Sequence, residues 1–172
     1  MKSWLLAVFL LGTLPMMEAQ TPTSNEHLQP ILWMVGNWQG IEKGSSGDLK
    51  VLLSARLSPN GQVLLFHVEF EKDGKLRPKY QGMYYWHPGK NKIVLTQISE
   101  EANLAEGTYT PTGQAEADQL MQVTAATTTF ELKSHYVVEK ESFHFVGQFR
   151  PAGKADWVPA VDVVYRRVNA AD

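Results

Sequence analysis

The sequence predicts an all-β fold, a single antiparallel barrel of about ten strands with a short N-terminal helix. Apolar residues recur with a period of two from Gly36 onward, turn residues separate the segments at short intervals, and no second long helical pattern follows the first. Many short strands with regular turns are typical of an antiparallel barrel or sandwich. The expected strands cover 37–43, 50–58, 62–72, 75–87, 92–99, 103–110, 119–128, 130–139, 142–150 and 159–168.

The N-terminal segment is predicted to be a signal peptide spanning residues 1–19. Lys2 gives a positive start, residues 4–11 form an unbroken apolar run, and Ala19 offers a small residue for cleavage. The run is too short to cross a bilayer, which takes about 20 residues. We therefore expect cleavage near Ala19 and a secreted or periplasmic protein without a transmembrane anchor.

The mature chain is expected to have a flexible N-terminus over 20–24 and one barrel domain over 25–172. A short helix should open this domain, with Ser24 or Asn25 as its cap and Pro30 limiting its length. A chain of about 150 residues can bury roughly 70% of its unfolded surface in a single core. The domain therefore needs no disulfide for stability.

Composition excludes several classes of function. The 172 residues include 44% hydrophobic residues and no cysteine, and the formal net charge is −2. The absence of cysteine removes disulfides, thiol catalysis and thiolate metal sites. A near-neutral charge gives no electrostatic footprint for nucleic acid, so we expect no nucleic-acid partner.

The hairpin formed by the third and fourth strands has a register that charge can predict. With a three-residue loop over 72–74, Glu71 faces Lys75 and Glu69 faces Arg77, and both pairs are complementary. A two-residue loop loses both pairs, so we predict the longer loop. The inward face then carries Leu64, Phe66, Val68, Phe70, Leu76, Tyr80, Gly82, Tyr84 and Trp86.

The inward aromatic side chains either line a ligand cavity or fill the barrel. Barrels of about eight strands do either. A higher strand count, and the need of buried tyrosine hydroxyls for polar partners, favour a cavity. The predicted ligand-binding residues are Phe66, Phe70, Tyr80, Tyr84, Trp86, Phe143 and Phe145.

The histidines do not converge on one point. The face assignment directs His67, His135 and His144 outward, and Glu69 shares the outer face with His67. A metal or acid–base site needs two or three such groups aimed together. We therefore predict no catalytic and no metal-binding residue, although a register shifted by one would move His67 and Glu69 into the cavity.

Acidic residues elsewhere are also expected to face solvent. Glu100 and Glu101 flank a turn, where a solvated role is the simplest interpretation. Asp162 is the lone acid in an apolar strand, and we expect it to form an outward ion pair with Arg150 or Arg166.

The two ends of the barrel domain carry a family resemblance. A short helix precedes Gly36-Asn37-Trp38, and the chain closes on a strand ending Tyr165-Arg166-Arg167. A Gly-x-Trp motif on the first strand with an arginine on the last resembles the lipocalin-like (calycin) superfamily. Residues 84–88 and 106–109 are most similar to nitrobindin-like and uncharacterised exported lipocalin-like proteins.

This resemblance implies a barrel with an internal cavity for a small, largely apolar ligand. It also implies a structural plug at one end, where an arginine of the last strand packs over the tryptophan; we assign Trp38 and Arg166 to it. Nitrobindins bind haem through a histidine on the last strand, and residues 158–162 contain none. This departure from the nitrobindin pattern disfavours haem, and the cofactor is left open.

Three functions are compatible with these observations. The favoured one is an exported protein that binds a small hydrophobic or aromatic molecule inside the barrel, without catalysis. The second is an enzyme of the same fold, an isomerase or a haem-dependent enzyme. The third is a protein-interaction module of the cell envelope with an exposed apolar patch of Val63, Leu65, Met83 and Tyr85.

Overall fold

The chain folds into a closed antiparallel barrel of ten strands, preceded by one short helix, as predicted. The computed structural model describes residues 25–44 and 47–168. The predicted signal peptide (1–19) and mature N-terminus (20–24) lie outside the described residues. Every strand pairs with its neighbour in sequence, and the pairing of the first strand with the last closes the barrel.

The strand bounds agree with the predicted ones to within a few residues. The strands are β1 (Gly36–Gly44), β2 (Gly47–Leu57), β3 (Val63–Lys72), β4 (Lys75–His87), β5 (Lys92–Ser99), β6 (Leu104–Pro111), β7 (Glu116–Thr124), β8 (Thr129–Val138), β9 (Ser142–Pro151) and β10 (Val158–Val168). The largest difference is at β7, predicted over 119–128. Strict alternation of exposed and buried residues begins at Glu116, so β7 starts and ends earlier.

The predicted three-residue loop between β3 and β4 is wrong. Lys72 pairs with Lys75, and the loop is Asp73-Gly74 with φ of 55° and 70°. Two central residues of positive φ form the turn whose twist matches a hairpin, and an Asp-Gly pair tolerates it. Glu71 therefore faces Leu76 instead of Lys75, and it forms its ion pair with Lys50 of β2 at 2.9 Å.

A β-bulge corrects the register further along this hairpin. Glu69 pairs with Pro78, whereas the next residue of β3, Val68, pairs with Tyr80, so Lys79 is the extra residue on β4. Beyond the bulge the predicted inward face is confirmed. On the turn side of the bulge Phe70 faces inward as predicted, whereas the prediction for Leu76 is wrong, because Leu76 lies outside with 48% of its surface exposed.

The N-terminal helix closes one end of the barrel. It is a 3₁₀ helix over Glu26–Met34, and the Asn25 side chain caps it by accepting a hydrogen bond from the backbone N–H of His27. Its buried residues are Leu28, Ile31 and Met34. The helix is a plug because this apolar face enters the barrel core.

The first and last strands secure this plug. The indole N–H of Trp38 on β1 donates to the Met34 carbonyl at 2.8 Å. The Arg167 guanidinium lies over the Trp38 ring, with its central carbon 4.1 Å from the ring centroid, and donates to the carbonyls of Val35 and Trp33 at 2.9 and 3.2 Å.

The assignment of Arg166 to the plug is therefore corrected to Arg167. Buried Val163 and Tyr165 face inward on β10, so alternation directs Arg167 to the same side and leaves Arg166 exposed on the outer face. The predicted role of Trp38 as the ring under the arginine agrees with the geometry.

We predict that Arg167→Ala lowers the free energy of unfolding by about 2–3 kcal/mol, because it removes two charged hydrogen bonds and a cation–π contact. Arg166→Ala is the matched control, and its effect should stay within about 0.5 kcal/mol. Urea denaturation of both variants measures the difference. Equal losses would contradict the assignment of Arg167 to the plug.

Candidate ligand-binding cavity

The barrel encloses a cavity of about 400 Å³ between the plug and the opposite end. Met34 of the helix forms part of its lining, whereas Glu42, Lys79 and exposed Ala160 belong to the far end, where the cavity opens. Sites for small molecules have volumes of about 300–1,000 Å³ and mostly apolar walls with a few polar groups. The cavity has the size and the composition of such a site.

The predicted ligand-binding residues fall into two groups. One group lines the cavity: Phe66, Phe70, Tyr80, Tyr84, Phe143 and Phe145. Trp86 is outside it and stacks on His27 of the helix, with ring centroids 4.1 Å apart and an interplanar angle of 11°. Trp86 therefore supports the plug. The ligand-binding role of the six residues that line the cavity stays a prediction.

A hydrogen-bonded network crosses the inner part of the cavity. The side-chain oxygen of Gln119 on β7 accepts hydrogen bonds from the hydroxyls of Tyr84 at 2.7 Å and Tyr136 at 3.1 Å. Burial raises the pKa of both tyrosines well above the usual value. The hydroxyls are therefore neutral donors, and this network fixes the two rings.

Sequence analysis missed Gln119, although the sequence carries a signal for it. The residues of β7 alternate strictly, and Gln119 shares its inward face with Ala117, Met121 and Val123. Extending the period of two through β7 would have placed a glutamine inside the barrel. A buried amide among apolar residues needs polar partners, and the tyrosines provide them.

Two other hydroxyl-bearing residues, Ser134 and Tyr165, line the cavity, and their side-chain oxygens are accessible within it, since no buried side-chain polar atom of the described residues lacks a hydrogen bond. Ser134 is 6% exposed and Tyr165 is 7% exposed. Neither hydroxyl forms a hydrogen bond within residues 25–44 and 47–168. Burial raises the pKa of Tyr165, so this hydroxyl too is neutral. The cavity therefore presents unused hydrogen-bonding groups to an occupant.

Glu42 is the second residue that sequence analysis missed. It follows Trp38 and Gly40 on the inward face of β1 and lines the cavity near its mouth, half-buried. Burial raises the pKa of its carboxyl, and the nearby charge of Lys79 opposes the rise. In the described part of the chain, no cation forms an ion pair with Glu42.

Lys79, the bulge residue, lies at the same mouth but is already engaged. Its ammonium donates to Glu100 at 2.8 Å and to Glu101 at 2.6 Å. Burial acts to lower the pKa of Lys79, but the two hydrogen bonds outweigh it and the pKa rises. The hydrogen bond from Lys79 is also the main reason that the pKa of Glu101 falls to about 2. Glu100 and Glu101 therefore hold the Lys79 ammonium at the mouth, in addition to facing solvent at a turn.

The outward prediction for three histidines is confirmed. His67, His135 and His144 lie on the outer face, and His67 is 3.6 Å from Glu69 on the same strand. The register shift that would have moved His67 and Glu69 into the cavity does not occur. Among the described residues, no group of three or more histidine, aspartate and glutamate side chains is arranged to hold a metal.

Asp162 faces outward as predicted, but its partner is different. Its carboxylate lies 2.7 Å from the ring Nε2 of His144 on β9, whereas Arg150 forms an ion pair with Glu131. Register explains the choice: Asp162 is directly opposite Val146, so His144 is its diagonal neighbour.

The predicted apolar patch on the outer face is only partly exposed. Met83 has 37% of its surface exposed, whereas Val63, Leu65 and Tyr85 are half-buried.

Within residues 25–44 and 47–168, none of the helices has the length and apolar character that a membrane crossing requires.

Comparison with known proteins does not assign the chain. No protein-family model matches the sequence, and a search of curated proteins finds no similar one. Function is therefore argued from the cavity itself.

We predict that Gln119→Leu lowers the free energy of unfolding by about 1–3 kcal/mol, because the Tyr84 and Tyr136 hydroxyls lose their common acceptor inside the barrel. Converting both tyrosines to phenylalanine in this variant should recover part of the loss, since it removes the unpaired donors. Urea denaturation measures both effects. A loss below about 0.5 kcal/mol in Gln119→Leu would contradict the proposed importance of the network.

We predict that Glu42→Gln raises the melting temperature by about 1–3 °C at pH 7. The pKa of Glu42 is higher in the fold than in the unfolded chain, so ionisation costs folding free energy. This cost is absent below the ordinary value of 4.5 and grows as the pH rises through the raised pKa. The difference between the variant and the native protein should therefore vanish near pH 3.5, and calorimetry between pH 3.5 and 8 measures it. A difference that does not change with pH would contradict this assignment.

Proposed function

We propose that the protein binds a small, largely hydrophobic or aromatic molecule inside the barrel. The observation that carries this proposal is a cavity of about 400 Å³ with a mostly aromatic wall, into which Ser134 and Tyr165 present hydroxyls that have no hydrogen bond to another described residue. Such hydroxyls can donate to or accept from the polar group of a ligand, while the aromatic wall packs against its apolar part.

The walls of the cavity supply the apolar part of the binding energy. Phe66, Phe143 and Phe145 present rings to the same space. Burying apolar ligand surface against such rings contributes about 25 cal/mol per Å², and stacked or edge-to-face geometry adds to it. The plug excludes solvent from the inner end, so the ligand enters from the end at which Glu42 lies.

We also propose that the chain is an exported member of the lipocalin-like superfamily, nearest to the nitrobindin-like and uncharacterised exported proteins. The closed ten-strand barrel and the contact of Arg167 with Trp38 support this proposal. The apolar run of residues 4–11 supports export to the periplasm or the medium.

A histidine-bound haem does not fit this cavity. No histidine is among its described lining residues, and the nearest strands direct His67, His135 and His144 outward. The amine, hydroxyl and carboxyl groups at the mouth fit an organic molecule with one polar end instead.

We predict that the neutral fluorescent probe N-phenyl-1-naphthylamine binds with a Kd of about 1–100 μM, the range that an apolar molecule of this size reaches. Leu132→Trp fills the cavity and should weaken binding at least tenfold. Leu120→Trp is the matched control, since Leu120 lies on the outer face with half of its surface exposed. No probe fluorescence with the native protein, or equal loss in both variants, would count against the proposed function.

A further inference from the structure

We infer that the ligand is a hydrophobic or aromatic amine whose protonated nitrogen is held at the mouth of the cavity by the Glu42 carboxylate and the hydroxyls of Tyr80 and Tyr165. This inference rests on the proposed function and narrows its ligand class. It depends on three features of the mouth: the placement of Glu42, the balance of charge and the kind of polar groups that have no partner.

The placement of Glu42 follows from the inward face of β1. Gly40 has no side chain, and a Cβ there would lie 3.4 Å from Cδ1 of the Tyr165 ring. The ring therefore lies against β1 beside Gly40, and the next inward residue is Glu42. After burial itself, the charge of Glu42 is the strongest influence on the pKa of Tyr165. Glu42 and Tyr165 line the same cavity, together with the rings of Phe70 and Tyr80.

The balance of charge at the mouth favours a cation. Lys79 is the only cationic side chain among the described lining residues, and its ammonium already binds Glu100 and Glu101. Together with Glu42, one ammonium stands against three carboxylates. A carboxylate ligand would add a fourth, whereas a protonated amine would give Glu42 a direct ion-pair partner, which no described residue provides.

The unpartnered groups are acceptors for such a nitrogen. An ammonium carries only donors, and the Glu42 carboxylate and the oxygens of Tyr80 and Tyr165 accept from it. In the part of the chain that the structure describes, neither tyrosine hydroxyl has a hydrogen bond. Phe70 and Tyr80 meet edge to face with ring centroids 6.4 Å apart, and aromatic faces attract cations.

The test compares three naphthalene probes of nearly equal shape and different charge. They are 2-naphthylmethylamine as the cation, 2-naphthalenemethanol as the neutral molecule and 2-naphthoic acid as the anion. Calorimetric titration of the full-length mature protein at pH 7 measures the three Kd values. We expect the amine to bind about tenfold more tightly than the alcohol, and the acid to bind most weakly.

The variant Glu42→Gln keeps the shape of the side chain and removes its charge. It should reduce amine binding to the level of the alcohol, so that the ratio of the two Kd values falls to about one. Glu26→Gln is the matched control, because it removes one negative charge from an exposed position on the plug, at the other end of the barrel. It should change none of the three affinities.

The outcomes separate this inference from the proposed function. If the alcohol binds as tightly as the amine, or the acid binds best, the amine assignment is overturned while the binding function stands. If Glu42→Gln keeps the preference for the amine, Glu42 is not its counter-charge and the inference fails. If none of the probes binds, nor N-phenyl-1-naphthylamine, both proposals fail together.

Discussion

The contact between Arg167 and Trp38 is the interaction on which the rest of the structure depends. It ties the last strand to the first at the seam of the barrel, and through the carbonyls of Trp33 and Val35 it ties both strands to the helix. A barrel formed by a closed sheet is still open at its two ends, and this contact holds the helix in one of these openings. Among the described residues, the helix therefore lies at one end of the cavity, and the cavity opens at the other end, where Glu42 and Lys79 lie.

The cavity persists because polar groups hold the rings that could otherwise collapse into it. The Gln119 oxygen binds the hydroxyls of Tyr84 and Tyr136 from strands on different sides of the barrel. A hydrogen bond that is buried in this way is directional, so the rings keep their positions while space remains beside them. An interior of aliphatic side chains alone would have no such constraint against tighter packing.

The sequence predicts the fold well because one physical rule, the alternation of a half-buried strand, extends through the chain. It predicts the strands, the inward faces of β8 and β9, and the inward face of β4 beyond the bulge. The predictions failed where alternation was not applied. In β10 it directs Arg167 inward, and not Arg166. In β1 and β7 it directs Glu42 and Gln119 inward, and neither was among the predicted site residues. The hairpin is different, because a bulge at Lys79 interrupts the period and cross-strand charges could not reveal it.

The ionised Glu42 carboxylate lowers the free energy of unfolding, because it is partly buried. A destabilising residue at the mouth of a cavity suggests a role in binding. A carboxylate that faces an aromatic cavity without a paired cation loses solvation in the empty protein, and burial raises its pKa for this reason. A neutral glutamine or an apolar residue would satisfy the fold at lower cost. The mouth of the barrel is thus less stable than a neutral residue at position 42 would make it, and the protonated amine that we propose as ligand would offset this cost.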